Sequence, residues 1–109
     1  MKKYEIVFDN VILKQLKKAE KNKQVRDILS NMLDKIEEKG PNAGDLLDTR
    51  LKIYEMKSKR PPIRLYYKHN IQTDEIYVFE YEMKTSEKKQ KGTISKIREK
   101  ISRILNLFL

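Results

Sequence analysis

The chain has 109 residues and carries 25 Lys and Arg against 16 Asp and Glu, a formal charge of +9, so it suits one domain with one core and its surface attracts nucleic acid, anionic lipid or an acidic protein. It has no cysteine, which excludes disulfides, zinc–thiolate sites and thiol nucleophiles. No apolar run approaches the roughly 18 residues of a membrane span, and Met-Lys-Lys runs straight into YEIVFD rather than a signal-peptide core, so the expected location is the cytoplasm.

Tyr4 to Phe8 reads as a strand, with Asp9 or Asn10 placed to cap a helix after it. From Val11 the residues Ile12, Leu16 and Ala19 keep helical spacing, while Lys14, Lys17, Lys18 and Lys21 face outward. The polar Lys21-Asn22-Lys23 junction breaks that pattern. A second helix follows, with Val25, Ile28, Leu29, Met32, Leu33 and Ile36 on one face and Gly40-Pro41 as its stop. The two helices predict a hairpin packed on a sheet. The stretch GPNAGDLLD reads as loop or broken helix, in which Asp45 and Asp48 suit turns and caps better than metal.

Three strand-like runs come next, LKIYEMKSK, IRLYYKH and EIYVFEYEMK, separated by an Arg60 to Pro62 turn and by NIQTD. In the middle run Ile63, Leu65 and Tyr67 alternate with Arg64, Tyr66 and Lys68, so the first set is expected in a core and the second on an exposed face. Beyond Gly92, Ile94, Ile97, Ile101, Ile104 and Phe108 mark an amphipathic helix with Thr93 as its cap, and Lys96, Arg98, Lys100 and Arg103 lie opposite. Leu105, Leu107 and Leu109 form an apolar tip that either completes the core, makes a homodimer or meets a partner. The predicted order is β-α-α-β-β-β-α, an α+β fold with an antiparallel sheet core, a helix hairpin on one face and a C-terminal helix, in one domain over 1–109.

Strings that mark dinucleotide enzymes, P-loop ATPases, zincins and nucleophile-elbow hydrolases are all lacking. His69, the one histidine, reads as an exposed turn residue. What remains is a Lys/Arg/Tyr constellation on consecutive strands, chemically adequate for attack of an RNA 2′-hydroxyl on its own phosphodiester. That reaction needs no cofactor or metal: fixed cations orient the phosphate and stabilise charge, and a lysine crowded by other cations can act as base. The plainer reading of the same residues is a solvated cationic face edged by amphipathic tyrosines.

The strings Ile53-Tyr54-Glu55-Met56-Lys57, Ile63-Arg64-Leu65-Tyr66-Tyr67 and Met83-Lys84-Thr85 followed by Lys88 and Lys89, taken in that order, resemble the RelE/ParE toxin superfamily of type II toxin–antitoxin systems. The nearest resemblance is to its HigB-like, phage-derived branch. Lys57 stands where that branch has arginine, Tyr81-Glu82 replaces a smaller element, and Lys89-Gln90 stands where Thr-Pro commonly opens the last helix. The resemblance implies a ribosome-dependent mRNA endoribonuclease silenced by an antitoxin. Arg64 would stabilise the phosphate, Lys57 and Lys84 would share charge stabilisation and base work, and Tyr66 or Tyr81 would orient a base. Lys59, Arg60, Lys68, Lys88, Lys89 and Lys91 would hold RNA around them. As surface cations, Arg64 and Lys84 are expected to contribute little to folding. Members of the same superfamily poison DNA gyrase instead, so a non-catalytic protein that binds nucleic acid or gyrase is the alternative. A basic scaffold or ribosome-associated protein is a third reading.

Overall fold

Asp9 begins the first helix: in the computed structural model, which describes residues 4–83, its carboxylate accepts a hydrogen bond from the Val11 amide at 2.7 Å. That bond satisfies a donor the helix itself leaves open. A three-residue strand, β1 (Ile6–Phe8), leads into helix α1 (Asn10–Ala19). Asn22 repeats the device for α2 (Lys23–Lys39), accepting from Val25 N at 3.2 Å. Gly40 ends α2 with φ +55°, and a Cβ there would stand 2.6 Å from the Tyr4 ring. Only glycine fits both constraints.

A single 3-10 turn (Gly40–Asn42) then leads to β2 (Asp45–Asp48), β3 (Ile53–Lys59), β4 (Pro62–Asn70) and β5 (Glu75–Met83). The sheet has five strands in the order β1-β5-β4-β3-β2. Two details correct the sequence reading. The segment expected as loop or broken helix supplies β2, an edge strand antiparallel to β3. The sheet is also mixed rather than antiparallel throughout, because β1 runs parallel to β5; the helix hairpin lies within the long connection that a parallel pair requires. The α+β class and the helix hairpin on the sheet stand as expected. The predicted C-terminal helix, its cations and the leucine tip lie outside the described residues.

The core between hairpin and sheet is built from the two predicted periodicities. Ile12, Val25, Leu29, Met32 and Ile36 from the helices meet Met56, Ile63, Leu65, Tyr67, Ile76 and Val78 from the strands. A fully buried aliphatic side chain of this kind contributes about 1.5–3 kcal/mol. Tyr67 keeps its hydroxyl satisfied there: it donates to Gly40 O at 3.0 Å and accepts from Gly44 N at 2.9 Å, tying the loop after α2 to the sheet.

The opposite face of the sheet carries a second, smaller cluster of Ile53, Tyr66 and Phe79, with Leu47, Leu51 and Tyr77 packed against it. Tyr77 and Phe79, two apart on β5, both face this cluster and their rings stack at 5.8 Å. A bulge follows: Tyr66 pairs with Glu80 while Tyr67 pairs with Val78, leaving Phe79 as the extra residue, so Glu80 and Glu82 join the face of Phe79 and Tyr81 is turned to the hairpin side.

Candidate functional site

Register decides which charges meet. Lys57 of β3 lies directly opposite Arg64 of β4, Glu55 lies opposite Tyr66, and on the other side of β4 Arg64 faces Glu82 of β5. Paired residues share a face, so Glu55, Lys57, Lys59, Arg64, Tyr66, Lys68, Glu80 and Glu82 all belong to the side away from the hairpin. Lys57 and Arg64 are thereby held side by side at the end of the β3–β4 hairpin, next to the exposed Lys59 and Arg60. Of the cations expected in a phosphate site, these are the ones the fold brings together.

Arg64 is not the solvated cation that alternation predicted. Its Nη1 donates to Glu55 Oε2 at 2.5 Å, with side-chain exposures of 16% and 3%. Glu55 is a buried charged residue of the sheet, and an unpaired carboxylate there would be costly. The pair engages one nitrogen of a guanidinium that has five N–H donors. Lys57 is exposed and stands 3.6 Å from Asp45 of β2. It therefore has an acid beside it as well as Arg64 across the strand pair.

Tyr66 was expected at the surface and is fully buried. Its place in the second cluster leaves no open ring face for a base, and its hydroxyl donates to Glu82 Oε1 at 2.7 Å. Burial first, and then the Glu82 carboxylate, push its ionisation far above the ordinary phenol range. Lys68 is half-buried and donates to Leu51 O; burial lowers its pKa, against a smaller opposing effect of Asp48. That lysine secures the turn before β3, a turn in which Asp48 also accepts from Leu51 N at 2.9 Å.

Tyr81 pairs with Leu65 and so lies on the hairpin side, packed against the main core; burial raises its pKa. The sheet separates it from Arg64. His69, expected as an exposed turn residue, is instead a strand residue with 13% side-chain exposure, its Nε2 2.8 Å from Asp74 Oδ1 and its ring edge-on to Tyr4. Lys84, Lys88, Lys89 and Lys91 lie outside the described residues. No group of three or more His, Cys, Asp or Glu side chains among the described residues is placed to hold a metal.

The face is charge-balanced rather than uniformly basic. Among the described residues Lys57, Lys59, Arg64 and Lys68 are interleaved with Asp45, Glu55, Glu80 and Glu82, because β3 carries Glu55 ahead of Lys57 and Lys59 while β2 and β5 set Asp45, Glu80 and Glu82 beside the cation-bearing strands. Sequence reasoning missed Glu55. Its only signal was an acid inside a strand pattern, at the position that cross-strand register sets diagonal to Arg64.

No protein-family model and no curated protein matches the chain significantly, but solved structures do. The intact E. coli RelBE toxin–antitoxin complex contains a chain 24% identical, with a TM-score of 0.64 over 76% of this chain and 99% of that one. The isolated E. coli RelE toxin is 21% identical, with a TM-score of 0.66 over 86% and 98%. A mutant of E. coli RelE in complex with an antitoxin RelBc peptide gives 21% and 0.65 over 85% and 95%. At these identities the likeness is one of architecture, and it extends over nearly the whole of the RelE chains. The chain has the fold of the RelE toxin.

Proposed function

We propose that this protein is the toxin of a type II toxin–antitoxin pair, from the HigB-like branch of the RelE/ParE superfamily, and that it cleaves mRNA on the ribosome in the cytoplasm. The observation that carries this reading is the cross-strand pair of Lys57 and Arg64 on one sheet face of a RelE-type fold. In the reaction the 2′-oxygen of a ribose attacks the adjacent phosphorus and the P–O5′ bond breaks, one proton being taken from the 2′-hydroxyl and one delivered to the departing 5′-oxygen. Arg64 binds the equatorial phosphate oxygens, where charge grows in the transition state. Lys57 adds a second charge beside it. Lys84, which follows β5 in sequence, completes the set and shares the base work, and Lys59 and Arg60 hold the flanking backbone of the RNA. Tyr81 is assigned to the same machinery by resemblance alone, and Tyr66 acts only from within the fold.

An antitoxin partner is proposed because RelE is found with antitoxin in two of the similar structures. Producing the chain without its neighbouring gene product should arrest growth, with cuts in mRNA that map to translated codons; co-production of that neighbour should relieve arrest and yield a complex. The engagement of Arg64 by Glu55 favours a second reading, a non-catalytic relative that binds nucleic acid or poisons DNA gyrase. Growth arrest with intact mRNA and blocked gyrase supercoiling would select it.

A further inference from the structure

We propose that Glu55 is a positioning residue for Arg64, holding the guanidinium so that its remaining N–H donors meet an RNA phosphodiester lying over Lys57; the inference rests on reading this face as the RNA site. Three observations carry it. Glu55 is 3% exposed and lies opposite Tyr66, and a well-packed apolar pair in place of Glu55 and Arg64 would be neutral or better for stability. Stability alone does not call for a charged pair here.

Second, the pair is diagonal. Glu55 faces Tyr66, whereas the residue facing Arg64 is Lys57. Arg64 thus leans along β4 toward Glu55, away from a head-on meeting with the Lys57 ammonium. Third, each cation has its own acid, Glu55 for Arg64 at 2.5 Å and Asp45 for Lys57 at 3.6 Å. Like charges directly opposite on a ladder repel, so this arrangement lets two cations stand side by side before any phosphate arrives. A free arginine would lose rotamer freedom on binding. Held by Glu55, it has lost that freedom on folding, and preorganisation of this kind accelerates chemistry rather than merely tightening binding.

The test uses Glu55→Gln, Arg64→Gln and the double variant, each confirmed folded by circular dichroism, in single-turnover cleavage of mRNA on translating ribosomes. Glu55→Gln is expected to slow cleavage at saturation between about tenfold and a hundredfold, with half-saturation changed by less than about twofold. In the Arg64→Gln background the same change is expected to add nothing, because Glu55 acts through Arg64. A second readout needs no cleavage. The Arg64 Nε–H resonance, identified by its loss in Arg64→Gln, should be sharp in the native protein, shift on addition of a short 2′-O-methyl RNA, and broaden in Glu55→Gln. If Glu55→Gln fails to fold, Glu55→Asp keeps the charge but shortens its reach, and should give the same slowing and broadening. An unaltered rate, a full loss in the Arg64→Gln background, or an Arg64 resonance indifferent to RNA would each overturn the proposal. A native protein that does not cleave, yet whose Arg64 resonance moves with RNA and broadens in Glu55→Gln, would refute the nuclease reading and leave the positioning role standing.

Discussion

Replacing Arg64 by alanine should cost this protein much of its stability, the opposite of what a surface cation implies. The substitution strands Glu55, which keeps 3% of its side-chain exposure while Arg64 has 16%. Breaking a buried ion pair by removing one partner costs about 3–5 kcal/mol; water entering the space left by Arg64 reduces this toward the lower end. Against a typical unfolding free energy of about 5–15 kcal/mol, a loss near 3 is a large fraction. For a chain of this size it lowers Tm by on the order of 10–20 °C. Lys57→Ala removes only an exposed pair, with side-chain exposures of 52% and 68%, and should cost at most about 1 kcal/mol. The assay is urea and thermal melting of the purified protein followed by circular dichroism. Adding Glu55→Met to Arg64→Met should recover most of the loss, since a well-packed apolar pair is equivalent to or better than the ion pair it replaces. An Arg64→Ala variant that melts with the native protein would show that Glu55 is not buried as described. A double variant less stable than either single one would show that the two side chains do not act as a pair.

Lys57→Ala, stable by the argument above, should nonetheless reduce cleavage by about a hundredfold through loss of a charge donor at the phosphate, measured by primer extension on ribosome-bound mRNA. Gly44→Ala should lower stability by about 1–3 kcal/mol, read from urea midpoints, because its Cβ would overlap the Glu55 carbonyl and crowd the Tyr67 hydroxyl. The phenols of Tyr66, Tyr67, Tyr77 and Tyr81 all have their ionisation raised by burial. Their folded pKa values lie above the unfolded one, so the stability they contribute is whole below about pH 10 and is lost as pH rises beyond it. Phenolate absorbance from these four should therefore appear only with loss of the circular dichroism signal; ionisation with the fold intact would refute it. Binding to RNA should weaken steeply with salt, as the +9 charge requires, and an affinity indifferent to salt would exclude phosphate as the main contact.

The helices and the main core were legible because period alone specifies them: Ile12 and then Val25, Leu29, Met32 and Ile36 are the buried residues of α1 and α2, on the stripes read from the sequence. Alternation along β4 likewise placed Ile63, Leu65 and Tyr67 in the core. The same alternation placed Arg64, Tyr66 and Lys68 correctly on the other face but not at its surface, because a second layer of packing over Ile53, Tyr66 and Phe79 depends on partners distant in sequence. Strand β2 escaped notice since its four residues begin and end with aspartate, which strands disfavour; its pairing with β3 supplies what local preference does not. The bulge at Phe79 and the meeting of Glu55 with Arg64 are likewise products of cross-strand register, which alternation does not encode. Tyr81 was grouped with Arg64 by resemblance, whereas the bulge at Phe79 resets the register so that Tyr81 pairs with Leu65 on the side away from Arg64.

The central claim is that the face carrying Lys57 and Arg64 cuts RNA by attack of its own 2′-hydroxyl. It is tested most directly by adding the purified protein, freed of any partner, to translating ribosomes bearing an mRNA with a single 2′-deoxy substitution at a mapped cleavage site. The account predicts cleavage of the all-ribose message to a 2′,3′-cyclic phosphate and a 5′-hydroxyl, and none at the deoxy position. Cleavage that persists at the deoxy position, or intact message under conditions where the same protein arrests growth, would contradict it.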